Sequence, residues 1–232
     1  MNNTAPGAEE IRRLSQEIPF FREFELELLR NNIRHISTRQ HPANQVILLE
    51  HDWGGSVYFI LSGWIKIRTH NLDGKEVTLN IVGKGEIIGE MAAIEEAPRS
   101  TDAITLTPAE VCSVPATEFY SLLQTYPLAG IRLAQLIAKR LRQLNRRLRL
   151  REAESLTRVA DTLLFLAEGQ GRTTAKGVAI PNLPHRELSS ISGLARETVT
   201  RSLTKLEKRG LIQRDLDILN IPDLEALEEM VS

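Results

Sequence analysis

Residues 85–101 contain the side chains with the most specific chemistry in this sequence. They read GEIIGEMAAIEEAPRST, so a carboxylate at Glu90 and a guanidinium at Arg99 stand among glycines, beside the hydroxyls of Ser100 and Thr101. Exposed backbone N–H groups and an arginine can hold a phosphate, and a carboxylate can accept hydrogen bonds from a sugar hydroxyl. These residue types together predict a site for one small anionic ligand that carries a sugar.

A second chemically distinctive segment begins at residue 185. Residues 185–192 are predicted to form a short helix, Gly193 to open a tight turn, and residues 196–207 to form a second helix, crossed against the first. The predicted apolar faces consist of Leu188, Ile191, Val199, Leu203 and Leu206. Near its start, the second helix carries four polar side chains on its other face: Arg196, Glu197, Thr200 and Arg201.

That polar face has the chemistry to contact DNA. When the start of a helix lies in the major groove, arginine can bind O6 and N7 of guanine, and glutamate can accept from N4 of cytosine. Residues 208–214 and 216–221 follow as a predicted two-stranded wing whose bases could contact phosphates. The alternative is a solvated face on an ordinary small helical domain. A basic wing directly after the helix pair favours DNA binding.

Composition limits the classes to which the protein can belong. A length of 232 residues, with 42% hydrophobic and 25% charged residues, is typical of a globular protein with two modest domains. Cys112 is the only cysteine, which excludes an internal disulfide and a multi-cysteine cluster. The five histidines show no metal-ligand spacing, so no metal or other cofactor is expected. Without a long apolar run or a signal peptide, a cytoplasmic location away from membranes is expected.

The net charge of −1 conceals an uneven distribution. Residues 128–151 carry eight bases and no acid, and residues 182–214 carry seven bases and three acids, whereas residues 1–127 carry 17 acids and 11 bases. The basic stretches could meet nucleic acid although the whole chain is nearly neutral.

Short β-rich runs predict an antiparallel roll or barrel in the first half of the chain. Residues 9–36 before them are predicted to be helical, with a break at Pro19. The predicted strands are residues 45–49, 57–61, 64–69, 77–82, 103–106 and 109–114. Asp73-Gly74 stands between two alternating runs, which predicts a hairpin.

A long helix is predicted for residues 128–153, then a helix to residue 168 and a linker at 169–177. Apolar residues of the long helix recur at spacings of four, three and four: Ile137, Leu141, Leu144 and Leu148. Such a seam suits pairing of two chains. The alternative is a helix that packs against the roll of its own chain and does not pair. That packing would use the earlier turns of the helix, at Leu133 and Leu136, and would leave the seam uncovered.

The order of these segments resembles the cyclic AMP receptor protein/FNR family of bacterial transcription regulators. The resemblance covers residues 18–221 and depends on two motifs: residues 85–101, similar to the family's phosphate-binding cassette, and the Gly-x-x-Arg-Glu-Thr-Val-x-Arg helix pair. It implies an α+β fold with a cyclic-nucleotide-binding antiparallel β-roll (1–127), a long dimerisation helix (128–153) and a winged helix-turn-helix (154–232). It also implies a homodimer whose partners are a cyclic nucleotide, double-stranded DNA and RNA polymerase. An enzyme such as a nucleotide phosphodiesterase is the other alternative, but the sequence shows no metal cluster, no nucleophile–base pair and no Walker loop, so no enzymatic activity is expected.

The resemblance assigns roles to individual cassette residues. Glu90 would bind the ribose 2′-hydroxyl and Arg99 the cyclic phosphate, while Gly89 and Ser100 would supply close backbone or hydroxyl contacts. The full set of expected ligand contacts is Gly89, Glu90, Met91, Arg99, Ser100, Thr101, Leu144 and Asn145. The alternative is a structural ion pair of Glu90 and Arg99 in a vestigial or differently occupied pocket, within a constitutive or otherwise gated DNA binder.

The long helix departs from the family pattern where it would meet the base. Cyclic AMP receptors have Thr-Ser there, whereas this chain has Leu144-Asn145, and only the asparagine can hydrogen-bond a purine edge. Arg142 and Arg146 lie nearby, and arginine suits the O6/N7 edge of guanine. The resemblance implies cyclic AMP as the effector, and the departure at Leu144-Asn145 makes cyclic di-GMP the alternative. Iron–sulfur sensing of the FNR type is excluded, because the N-terminal cysteines are missing.

In the second helix of the pair, the resemblance assigns base contacts to Arg196, Glu197 and Arg201, which implies an operator like TGTGA followed by its inverted repeat. The full set of expected DNA contacts is Arg196, Glu197, Thr200, Arg201, His185 and Lys208. Ala195 and Pro184 replace capping hydroxyls of the family. Both changes are expected to reduce DNA affinity rather than specificity.

Overall fold

The computed structural model describes residues 8–231, which form two compact units. The first unit contains the described residues up to Thr69 together with Leu79–Ile137. The second contains His70–Thr78 together with the described chain from Ala138 onward.

An aromatic cluster joins the N-terminal helices to the core of the first unit. Helix α1 spans Ala8–Glu17, α2 spans Leu26–Asn32, and a 3₁₀ turn at Pro19–Phe21 separates them. This turn confirms the predicted break at Pro19. The helix breaks there because proline lacks the backbone N–H that a helix interior needs. Phe21 is buried in that turn, and its ring centroid lies 4.8 Å from that of Phe59.

Eight strands form the predicted antiparallel β-roll. They are β1 (Ser37–His41), β2 (Val46–Leu48), β3 (Ser56–Ser62), β4 (Trp64–His70), β5 (Glu76–Gly83), β6 (Ile87–Ile88), β7 (Asp102–Thr105) and β8 (Ala109–Pro115). Two four-stranded sheets result, with the orders β1-β8-β3-β6 and β2-β7-β4-β5. The predicted hairpin at Asp73-Gly74 connects β4 to β5, and Gly74 has a φ of +73°.

Strands β1 and β6 do not follow from the sequence pattern. The sequence of β1 is STRQH, which offers no apolar alternation, and backbone pairing to β8 makes it a strand. Strand β6 has only two residues, which pair with Tyr58 and Phe59 of β3. This pairing fixes the first half of the cassette to the roll, directly before helix α3 (Glu90–Glu95).

Helix α4 (Ala116–Thr125) leads into the long helix α5 (Pro127–Arg149). The predicted end at residue 153 is wrong by four residues, because a 3₁₀ turn at Leu150–Glu152 replaces the last helical turn. In the first unit, Leu133 is buried and Leu136 packs against the same core, as predicted. The seam residues are exposed along the helix: Ile137 by 44%, Leu141 by 54%, Leu144 by 49% and Leu148 by 58%.

The second unit combines helices with a small sheet. Its elements are α6 (Ser155–Gln170), β9 (Arg172–Thr174), β10 (Gly177–Pro181), α7 (His185–Ser192), α8 (Arg196–Lys208), β11 (Gln213–Arg214), β12 (Ile218–Ile221) and α9 (Leu224–Glu228). The predicted linker at 169–177 is wrong, since it contains β9. The two strands of the predicted wing are present as β11 and β12, and β10 and β9 extend them to a four-stranded sheet in the order β11-β12-β10-β9. All residues of β9 are polar, so the sequence offers no apolar pattern for a strand there. Its backbone pairing with β10 makes it a strand.

Candidate functional site

The guanidinium of Arg99 lies in the interior of the first unit, with only 4% of the residue exposed. Its Nη1 donates to the carbonyl oxygen of Gly89 at 2.6 Å, and its Nη2 donates to that of Ser56 at 2.5 Å. The guanidinium carbon lies 5.9 Å from the centroid of the Tyr58 ring. Among the described residues, Nε has no hydrogen-bond partner. The cationic group is thus held by neutral acceptors beside an aromatic ring.

Glu90 is also buried, with 3% exposed, and is the first residue of α3. Gly89 before it has a φ of +79°, the left-handed conformation that glycine adopts without strain. Burial lowers the pKa of Arg99 below its usual value, although electrostatic interactions with Tyr58 and Glu90 act in the opposite direction. The fold therefore brings the acid and the base of the cassette together inside the roll and does not turn them to water.

The remaining expected ligand contacts differ in accessibility. Met91 and Ser100 are exposed, and Thr101 is half-buried, beside the buried pair in the first unit. Leu144 and Asn145 are both exposed on α5, in the second unit.

A loop that sequence reasoning treats only as a turn encloses Arg99. The backbone N–H of Arg99 donates to the carbonyl of Asp52 at 2.9 Å, and that of His51 donates to the carbonyl of Arg99 at 2.8 Å. Gly54 lies directly against the guanidinium. The pair Gly54-Gly55 is the only sequence signal here, and two adjacent glycines indicate a turn without revealing what packs on it.

The structure changes the role of Arg146, which the sequence suggests as a guanine contact. Its Nε lies 2.6 Å from Oδ1 of Asp161, and its Nη1 lies 2.5 Å from Oε1 of Glu168. Gln143 donates to the other carboxylate oxygen of Glu168 at 3.2 Å. Arg146 thus joins α5 to α6 within the second unit. Arg142, in contrast, is exposed.

The four polar side chains of α8 that are expected to contact DNA are exposed, as is Lys208 at the end of the helix: Arg196, Glu197, Thr200 and Arg201. His185, at the start of α7, is half-buried, and its Nδ1 lies 2.7 Å from Oγ1 of Thr200. Burial lowers the pKa of His185, and the nearby charges of Arg214 and Arg196 lower it further. A neutral imidazole at pH 7 therefore connects the two helices of the pair.

The turn between α7 and α8 has the predicted geometry. Gly193 has a φ of +64°, and neither Pro184 nor Ala195 makes a side-chain cap, as expected. The sequence does not reveal that Arg158 of α6 closes this turn. Its Nη2 donates to the carbonyl of Ser192 at 2.5 Å, which fixes the end of α7.

Three further observations concern metal binding, the cysteine thiol and membrane-spanning helices. Within residues 8–231, no group of three or more acidic, histidine or cysteine side chains is placed to hold a metal ion. Cys112 is buried, and burial raises its pKa to about 11, so its thiol is unreactive at neutral pH. No helix in that range is long and apolar enough to cross a membrane.

Comparison with known families assigns each half of the chain to a domain family. Residues 38–126 match the family described as "Cyclic nucleotide-binding domain", and residues 157–230 match "Crp-like helix-turn-helix domain". The first range contains the whole cassette, and the second contains α7, α8 and the four-stranded sheet whose strands lie before and after them in the chain.

Known proteins are similar to this chain over most of its length. The cyclic AMP receptor protein of Thermus thermophilus is 30% identical over 200 residues, which are 85% of this chain and 89% of that protein. A solved CRP/FNR-family transcriptional regulator from the same organism is 26% identical, with a TM-score of 0.65 over 84% of this chain and 98% of that one. The c-di-GMP responsive global regulator CLP of Xanthomonas campestris shares the fold, at 23% identity and a TM-score of 0.67 over 86% of this chain and all of that one. The chain belongs to the cyclic AMP receptor protein/FNR family of DNA-binding transcription regulators.

Proposed function

We propose that the protein is a homodimeric regulator whose DNA binding is controlled by a cyclic nucleotide. In this proposal the effector's cyclic phosphate binds Arg99, and its ribose hydroxyl binds Glu90. Gly89 and Ser100 contribute backbone or hydroxyl contacts, and Met91 and Thr101 line the same site. Leu144 and Asn145 of α5 meet the base.

The observation that carries the proposal is the buried guanidinium of Arg99. A buried charge is costly unless it is compensated, and the hydrogen bonds of Arg99 go to two neutral carbonyls. A phosphate would add to the negative charge of nearby Glu90 and would supply charge-assisted hydrogen bonds, which the two carbonyls do not.

Cyclic AMP is the first candidate for the effector. It is supported by the family match to a cyclic nucleotide-binding domain and by the Thermus relative, which is named a cyclic AMP receptor protein. Cyclic di-GMP is the second candidate, since the fold is shared with a c-di-GMP responsive regulator. The ion pairs of Arg146 remove one guanine-reading arginine, whereas the exposed Arg142 retains that chemistry.

Isothermal titration calorimetry of the purified protein distinguishes these candidates. Separate titrations with cyclic AMP, cyclic GMP and cyclic di-GMP should give saturable binding of one of them. No heat with any of the three nucleotides would reject the proposed control by a cyclic nucleotide.

The second candidate function is a constitutive DNA binder with the same fold. It is favoured by the two backbone carbonyls, because they already satisfy Nη1 and Nη2 of Arg99 without a ligand. Such a protein would bind its operator equally well in the presence and absence of every cyclic nucleotide.

We propose that α8 reads an inverted repeat of TGTGA type, with base contacts from Arg196, Glu197 and Arg201. Two reading helices, one from each chain, would then lie in successive major grooves. Thr200 and His185 are held together at 2.7 Å, so they would contact DNA as a unit. Contact with RNA polymerase would follow from binding at a promoter.

Replacing Arg196 by alanine tests this reading. The change should weaken binding to the TGTGA site by roughly 1–3 kcal/mol and relax the preference at one base pair. Lys208→Ala is the matched control: it should weaken all sequences alike and reduce the salt dependence. The measurement is a gel-shift series over single-base variants of the site. Equal losses on every variant for Arg196→Ala would contradict a base contact.

A further inference from the structure

Gly54 lies where any side chain would strike the guanidinium of Arg99. A Cβ added to Gly54 would be 2.1 Å from Nη2, 2.2 Å from Nε and 2.4 Å from Cζ of Arg99. All three distances are much shorter than a van der Waals contact between heavy atoms. The guanidinium therefore rests against the backbone of residue 54, in space that only glycine leaves open.

The same loop holds Arg99 by hydrogen bonds on both sides of Gly54. The carbonyl of Asp52 accepts from the backbone N–H of Arg99 at 2.9 Å, and the carbonyl of Ser56 accepts from Nη2 at 2.5 Å. Backbone and side chain of Arg99 are thus fixed by one short segment, residues 51–56. Gly89 also lies close to the guanidinium, since a Cβ added there would be 2.5 Å from Nη1.

The neighbouring glycine provides a contrast. A Cβ added to Gly55 would meet no atom within 4 Å. Neither Gly54 nor Gly55 has a positive φ, so both backbones accept an alanine without conformational strain. Alanine substitutions at these two positions differ only in what the added methyl group meets.

We infer that Gly54 is a positioning residue of the effector site. Its missing side chain lets the guanidinium of Arg99 lie where it can meet a cyclic phosphodiester. This inference depends on the proposed role of Arg99 as the phosphate ligand. A binding group must be held within about 0.5 Å of its productive position, and a methyl group at residue 54 displaces the guanidinium by more than that.

The test compares Gly54→Ala with Gly55→Ala by calorimetry, using whichever cyclic nucleotide the unaltered protein binds. Gly54→Ala should weaken binding by roughly tenfold to a hundredfold, since a charge-assisted hydrogen bond is disturbed. Gly55→Ala should bind like the unaltered protein.

Thermal unfolding keeps the inference testable if Gly54→Ala folds poorly. The methyl group would meet only the end of the Arg99 side chain, so Gly54→Ala should cost stability in the unaltered protein but no further stability when it is added to Arg99→Ala. An equal loss with and without Arg99, or unchanged nucleotide affinity in Gly54→Ala, would overturn the positioning role. If the unaltered protein binds no cyclic nucleotide, it is the proposed function that fails.

Discussion

Arg99→Ala is expected to weaken effector binding by at least about a hundredfold, the largest effect of any single substitution in the first unit. The reason is that a guanidinium can form two or more charge-assisted hydrogen bonds to a phosphate in an interior that water does not screen. The measurement is calorimetric titration with the nucleotide that the unaltered protein binds. Arg39→Ala is the matched control, because Arg39 is exposed on β1.

Arg99→Lys is the control for a folding defect in Arg99→Ala. Arg99→Ala removes the donors to the carbonyls of Gly89 and Ser56, and each buried acceptor left without a donor costs about 1–3 kcal/mol. Arg99→Lys keeps the charge but not the planar fork, so it should bind the effector with intermediate affinity. Nucleotide affinity that is unchanged in Arg99→Ala would show that the phosphate binds elsewhere.

Leu141→Asp should convert the protein to a monomer. We propose that the exposed seam of α5 pairs with the same seam of a second chain, where each leucine buries apolar area. Two copies of the substitution would remove about 3–6 kcal/mol of burial, which raises the dissociation constant of the dimer roughly 10²- to 10⁴-fold. Size-exclusion chromatography with light scattering measures the mass directly.

The matched control places the same charge on another face of α5. Gln135 is exposed and lies about half a turn away from the seam, so Gln135→Asp should leave the dimer intact. Because a single reading helix covers only one half-site, Leu141→Asp should also lose most of its affinity for an inverted repeat. A dimer that survives Leu141→Asp would contradict pairing through the seam.

The sequence predicts the elements whose chemistry is local. The break at Pro19, the hairpin at Asp73-Gly74 and the glycine turn at Gly193 follow from backbone rules that act within a few residues. The apolar faces of α7 and α8 follow from helical spacing, and their residues are buried. The β-roll follows from closely spaced strands and is confirmed.

Strands and side chains whose partners lie far away in the sequence cannot be predicted from local patterns. Strands β1 and β9 are polar, and each exists because its backbone pairs with another strand, β8 and β10 respectively. Arg146 looks like a surface arginine in the sequence, yet it is bound by Asp161 and Glu168 of another helix. The contact of Gly54 with Arg99 joins residues 45 positions apart, and no local pattern encodes it.

The most direct test of the whole account is the operator affinity measured with and without effector. Fluorescence anisotropy of a labelled duplex with the inverted TGTGA repeat gives this ratio for the unaltered protein and for Arg99→Ala. The account predicts that the bound cyclic nucleotide tightens DNA binding by about 5- to 150-fold in the unaltered protein and has no effect in Arg99→Ala. Equal operator affinity of the unaltered protein with and without cyclic AMP, cyclic GMP and cyclic di-GMP would contradict it.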